Sequence, residues 1–84
     1  MYEVLIESAA QADLNRLSAD ILRRIGPHLK ALAENPRPPG CRKITGSHDD
    51  WRIRIGDYRV IYEIDDSSTT IRIMRVRHRR EAYR

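Results

Sequence analysis

The chain has 84 residues, 40% of them apolar and 33% charged, with a formal net charge of +4. That length allows one small domain, residues 1–84, burying roughly 60–65% of its unfolded surface around a single core. It excludes a membrane-spanning helix, since no apolar run approaches the ~18 residues required, and the single cysteine, Cys41, excludes an internal disulfide. Cys41 also has no CxxC partner, and the N-terminus lacks the basic-then-apolar pattern of a signal peptide. A cytoplasmic protein without membrane contact, metal or cofactor is expected.

Tyr2–Glu7 reads as a short strand. Ser8-Ala9-Ala10-Gln11 has the form of a capping box, so a helix is predicted from Ser8 to about Leu17. Ser18 is a second N-cap candidate. Behind it Ile21, Leu22, Ile25, Leu29, Leu32 and Ala33 recur at helical spacing and predict one buried stripe. Gly26-Pro27 falls inside that stripe, where a kink or short break is expected. Asn35-Pro36-Arg37-Pro38-Pro39-Gly40 then ends the helical region. Everything beyond reads as strand and turn: Arg42–Ile44, Trp51–Ile55, Tyr58–Ile64 and Thr69–His78. The fold class is α+β, an N-terminal strand and a helical hairpin followed by an antiparallel β-meander, with the helices packed on one face.

Gly56-Asp57 lies between two alternating runs and predicts a two-residue hairpin, glycine first suiting a type II′ turn. Such a turn sets Ile55 opposite Tyr58, Arg54 opposite Arg59 and Ile53 opposite Val60. Trp51, Ile53, Ile55, Tyr58, Val60, Tyr62 and Ile64 then share the core side, and Arg52, Arg54 and Arg59 project from the other. Arg54 and Arg59 form a like-charge cross-strand pair, which opposes folding. Glu63 shares their face and offsets this in part.

Charge is unevenly distributed. Residues 1–40 hold five basic and five acidic groups, and residues 41–84 hold eleven and seven. Six of the last thirteen residues are arginine, interleaved with His78 and Tyr83. Guanidinium groups suit an anionic surface because their planar fork binds phosphate oxygens bidentately. Arg42, Lys43, Arg72, Arg75, Arg77, Arg80 and Arg84 are expected to contact an anionic surface, a nucleic acid phosphate backbone first of all. For the last strand two phases are open: Ile71, Ile73 and Arg75 share one, Met74, Val76 and His78 the other, and a bulge can exchange them.

Lys43-Ile44-Thr45-Gly46, the block from Trp51 to Ile64, and Val76-Arg77-His78-Arg79-Arg80-Glu81-Ala82-Tyr83 together resemble the RelE branch of the RelE/ParE toxin superfamily. The resemblance covers nearly the whole chain and agrees with the order of elements. It implies a toxin of a type II toxin–antitoxin pair that cuts messenger RNA on the ribosome, inhibited by a cognate antitoxin. ParE-like members instead inhibit DNA gyrase, and a nucleic-acid-binding module without catalysis is the other alternative. Position by position, the resemblance implies an active site of Arg52, Arg54, Arg59, His78, Arg79 and Tyr83. The best-known RelE pattern has lysines where this chain has Arg52 and Arg54.

The implied reaction is attack of an RNA 2′-hydroxyl on the adjacent phosphate. Arginine, with a pKa above about 12, cannot exchange protons near neutrality, so the four arginines are assigned to binding and to transition-state charge. Proton transfer is left to His78 or Tyr83, and Tyr83 can alternatively stack on a base. His28, His48, Tyr2, Tyr62, Trp51 and Cys41 are read as surface, core or incidental residues.

Overall fold

The structure is a computed structural model that describes residues 1–46 and 49–82, with side chains as far as Arg80. His48, Tyr83 and Arg84 lie outside the described residues. Five strands, β1 (Glu3–Ile6), β2 (Arg42–Lys43), β3 (Asp50–Ile55), β4 (Tyr58–Asp65) and β5 (Thr70–His78), form one sheet in the order β1-β5-β4-β3-β2. Helices α1 (Ser8–Asn15) and α2 (Ala19–Ala31) connect β1 to the meander, and a short α3 (Arg79–Ala82) follows β5. The meander is antiparallel, as the sequence predicts, but β1 runs parallel to β5, so the sheet is mixed.

The Gly56-Asp57 hairpin has the predicted register, with Ile55 opposite Tyr58, Arg54 opposite Arg59 and Ile53 opposite Val60. Gly56 supplies the left-handed first turn position at φ +59°, while Asp57 keeps a negative φ, the pattern of a type II′ turn. The core follows from that register. Ile53, Ile55, Val60, Tyr62, Ile64, Ile71, Ile73 and Val76 pack against Ala10 and Leu14 of α1, Ile25 and Leu29 of α2, and Leu32.

Three local expectations change. The Ser8 capping box does not form: α1 begins at Ser8 itself, with Glu7 at the N-cap. The cause is strand pairing, since the Glu7 N–H still donates to Ile73 O (3.0 Å) while its carbonyl already accepts from Gln11 N–H (2.9 Å). Ser18 does cap α2, accepting from the Ile21 amide at 3.3 Å. Pro27 does not break α2, which is continuous from Ala19 to Ala31. Gly26 helps here, because without a Cβ it lacks much of the clash that normally drives a pre-proline residue out of the helical region. Ile25 and Leu29 on either side are buried against the sheet and hold the helix in place, whereas Leu22 of the expected stripe is exposed.

A β-bulge resolves the facing of β5. Tyr62 pairs with Ile73 and Ile61 with Arg75, leaving Met74 as the extra residue. Ile71 and Ile73 face the helices before the bulge, and Val76 and His78 face them after it. Each of the two phases open in the sequence is therefore right for half the strand. The bulge sits where β1 has ended and the edge of β5 is open. Asp13 of α1, 8% exposed, covers that edge. Its carboxylate accepts from Val76 N–H (2.9 Å) and from Arg75 Nε and Nη2 (2.9 and 3.1 Å).

A second lock holds the Pro36–Gly40 segment. The Arg37 guanidinium stacks over Trp51 at 5.0 Å and pairs with Asp66 (2.9 Å), which also accepts from the Tyr2 hydroxyl. The buried Tyr62 hydroxyl donates to Pro36 O at 2.8 Å. Burial pushes its pKa far above the ordinary phenol value, which keeps the proton that this bond uses.

Burial alone would raise the pKa of Asp13, but the Arg75 fork and the Val76 amide outweigh it and hold the carboxyl below its ordinary value. A depressed folded pKa means stability that is present above the unfolded value, near 3.9, and lost as pH falls through the folded one. Asp13→Asn should therefore narrow its stability deficit against the parent chain as pH drops below about 4, as read by urea melts across a pH series. At neutral pH Asp13→Ala should cost about 1–3 kcal/mol, since it leaves the Val76 amide and the Arg75 guanidinium without the carboxylate.

Candidate functional site

The sheet has one face under the helices and one open face. On the open face, pairing across β3, β4 and β5 sets Arg54 opposite Arg59 and Arg59 opposite Arg77. Three guanidinium side chains thus share one row across adjacent strands, which lie about 5 Å apart. The next row carries Arg42 opposite Arg52, followed by Ile61 and Arg75. Arg42, Arg52, Arg54 and Arg59 line a cavity of about 430 Å³, together with Ile53 and Gly40 of the segment that Arg37 anchors. Two rows of like charge in one hollow work against folding, and they make a preorganised receptor for anionic oxygens.

Acidic residues of the open face gather at the opposite end. Asp50 lies opposite Glu63, and Glu63 opposite Arg72. Arg72 pairs with Glu63 at 3.2 Å and with Glu7 at 3.6 Å. Glu63 is therefore directed to Arg72, not to the Arg54–Arg59 pair that the sequence suggested it would offset. Arg75 is tied to Asp13, as described above. Both belong to the arginines expected to contact a nucleic acid backbone. In the structure both also hold ion pairs within the fold, because the bulge brings Arg75 to the strand edge and the register brings Arg72 beside two carboxylates. Lys43, expected alongside Arg42, lies opposite Trp51 and so points to the other face of the sheet.

His78 also lies away from the arginines. It stands opposite Tyr58 on the helix side, the two rings meeting edge-to-face with centroids 5.2 Å apart. It borders a separate cavity of about 200 Å³ with Asp13, Arg16, Leu17, Tyr58 and Val76. Its Nδ1 accepts from the Arg80 N–H at 3.2 Å, which requires an imidazole unprotonated at that nitrogen. The Arg79 N–H donates to Asp57 O at 2.7 Å, joining the start of α3 to the β3–β4 turn. Arg79 is thereby held at the Arg54–Arg59–Arg77 end of the sheet, with its side chain exposed. The expected site thus divides. Arg52, Arg54 and Arg59 come together, Arg79 is placed at their end of the sheet, His78 is on the opposite face, and Tyr83 lies outside the described residues.

Two placements are not legible in the sequence: the row of Arg77 depends on a bulge that leaves no mark there, and the place of Gly40 beside the cavity depends on the long-range Arg37–Asp66 pair.

Comparison with known proteins gives the family and agrees with the fold. The family model described as the ParE toxin of the type II toxin–antitoxin system parDE matches residues 4–83. Toxin RelG of Mycobacterium tuberculosis is 34% identical over 87 residues, covering 99% of this chain and 97% of that protein. Among solved structures, the RelBE2 toxin–antitoxin complex of M. tuberculosis contains a chain 30% identical, with a TM-score of 0.81 and 92% and 96% of the two chains covered. The RelE–RelB complex of Pyrococcus horikoshii gives 30% identity, a TM-score of 0.82, and 93% and 94% coverage. The isolated E. coli RelE toxin, only 20% identical, shares the fold at a TM-score of 0.81 over 99% and 96% of the chains. With a family model along almost its full length and a named toxin at this identity, the chain belongs to the RelE/ParE superfamily of toxins from type II toxin–antitoxin systems.

Proposed function

We propose that this toxin is a ribosome-dependent endonuclease of messenger RNA, that a cognate antitoxin restrains it, and that the open arginine face is its phosphate site. The observation that carries the reading is the register placing Arg54 and Arg59 side by side above a cavity shared with Arg42 and Arg52. Similarity to chains solved as RelE–RelB complexes supports the antitoxin partner.

In the proposed reaction the RNA 2′-oxygen bonds to phosphorus and the bond to the 5′-oxygen breaks. The products are a 2′,3′-cyclic phosphate and a free 5′-hydroxyl. A base takes the 2′-hydroxyl proton and an acid supplies one to the leaving oxygen. Arg52, Arg54, Arg59 and Arg79 bind the phosphate and stabilise its added charge, an effect worth about 10²–10³ per donor in comparable anion sites. None of them exchanges protons. His78 lies on the helix side with Nδ1 engaged by Arg80, so the proton-transfer role at the phosphate moves to Tyr83. His78 is then a support of the β5–α3 junction.

A ParE-like inhibition of DNA gyrase is the second reading. The match to a ParE family model favours it, and the placement of His78 removes one objection to it.

Induced expression followed by mapping of new RNA 5′ ends separates the two. Cuts at fixed codon positions are expected, whereas intact messages accompanied by double-strand DNA breaks would establish the gyrase reading. Tyr83→Phe should lower cleavage by about 10²–10⁴ while antitoxin binding survives in a pull-down, and His78→Ala should have a smaller effect. Full cleavage by Tyr83→Phe would overturn the assignment. Arg54→Ala should reduce cleavage yet raise thermal stability by about 0.2–1 kcal/mol, because it relieves repulsion from Arg59. A drop in melting temperature would count against that pairing.

A further inference from the structure

Strand β5 passes into α3 without an intervening residue, so the first turn of that helix must find partners for its amides locally. The Arg79 N–H donates to Asp57 O at 2.7 Å, which ties the helix start to the β3–β4 turn. The Arg80 N–H donates to Nδ1 of His78 at 3.2 Å. His78 is the last residue of β5, and an acceptor reaching from that position to the second helical amide has the geometry of an N-cap. Asparagine, aspartate, serine and threonine are the usual caps. An imidazole serves only while Nδ1 keeps its lone pair, because imidazolium is a donor at both nitrogens. The Tyr58 ring, edge-to-face at 5.2 Å, holds the imidazole in place for this bond.

The groups around the ring set the consequence of adding a proton. Asp13 and Arg16 of α1 face His78 across the cavity of about 200 Å³, with Tyr58 of β4. The β3–β4 turn brings Asp57, and α3 brings Arg79 and Arg80. Asp13 is already engaged by the Arg75 guanidinium and the Val76 amide. A proton on Nδ1 therefore removes the acceptor and sets a donor against the Arg80 amide. It also adds a cation beside Arg16, Arg79 and Arg80, at the helix end where positive charge is disfavoured.

We propose that His78 is the positioning residue of α3, whose neutral ring caps the helix and sets Arg79 at the arginine end of the sheet, and whose protonation releases it. Tyr83 follows α3 directly in the chain, so the same cap governs the segment that carries it. Imidazole changes charge between about pH 5 and 8, which puts this device in the physiological range. Cleavage is then present above the titration of the ring and falls below it. That consequence rests on the endonuclease reading, whereas the cap does not.

The test compares the full-length parent with His78→Asn and His78→Ala from about pH 5.5 to 8. Asparagine supplies a cap that does not titrate, and alanine supplies none. NMR follows the ring protons of His78 together with hydrogen exchange at the Arg80 amide, corrected for the intrinsic pH dependence of exchange. In the parent, protection at Arg80 should fall about fivefold as the ring is protonated, the usual size of one lost N-cap. His78→Asn should keep its protection at every pH, and His78→Ala should lack it throughout. Messenger RNA cleavage on ribosomes should show an acid limb at the ring's own midpoint in the parent and none there in His78→Asn. His78→Ala should lose about fivefold at every pH. An acid limb that persists in His78→Asn, or full Arg80 protection in His78→Ala, overturns the proposal. If both variants lose cleavage while His78→Asn stays protected, His78 moves the proton itself and the positioning role is wrong. If the parent cuts no message at any pH, the endonuclease reading fails, and the exchange data alone uphold or overturn the cap.

Discussion

The contact of Asp13 with Val76 N–H and the Arg75 guanidinium is the constraint on which the arrangement of charge depends. Strand β1 ends one residue before the bulge, so β5 has an open edge just where its backbone leaves regular pairing. An unpaired amide at that edge, close to the core, would destabilise the fold. A short helix beginning at Ser8, with Glu7 as its N-cap, brings one carboxylate to the spot. That carboxylate accepts the amide proton and engages an arginine that would otherwise project over the open face. With the bulge at Met74, Val76 and His78 point toward the helices and Arg77 points away. Without it, Arg75 would take the buried place of Val76 and Arg77 the helix-side place of His78 opposite Tyr58, and the row with Arg54 and Arg59 would not exist.

Charge on the open face is therefore graded. At one end, the carboxylates of Glu63, Glu7 and Asp50 outnumber Arg72. At the other, arginines from three strands are aligned beside a hollow bounded by Arg42 and Arg52. A sheet can hold such a cluster because its core is on the other face. Tyr62, Val60, Ile64, Ile71 and Ile73 are almost fully buried and provide the burial energy against which like-charge repulsion of a few tenths to one kcal/mol per pair is small. The stacked and paired Arg37 acts at a distance from the site, fixing the proline-rich segment that carries Gly40 to the rim of the cavity.

Histidine and arginine end up with separate duties. The imidazole of His78 packs on Tyr58 and accepts the first free amide of α3, a local bond that stabilises the turn from strand to helix. Its position shows why proximity in sequence is a poor guide at the end of a strand. Neighbouring residues of β5 alternate between faces, so Arg77 and His78 are adjacent in the chain and on opposite sides of a layer of backbone.

Period-two alternation around Gly56-Asp57 was sufficient by itself to determine the hairpin, its register, the core face and the arginine pair, because a two-residue turn leaves one pairing and each pairing has one facing. Helical spacing and the Ser18 cap likewise located α2, and the quoted motifs located the family. Only the tertiary structure decided the rest. The capping box at Ser8 lost to continued pairing of Glu7 with β5, and Pro27 stayed within α2 because its neighbours are buried. Arg72 and Arg75 pair with carboxylates supplied by β4, the end of β1 and α1. Asp13 stands 62 residues from Arg75 along the chain. A bulge and a long-range ion pair leave no periodic trace, so the local pattern could supply the arginines while the fold alone chose which of them meet.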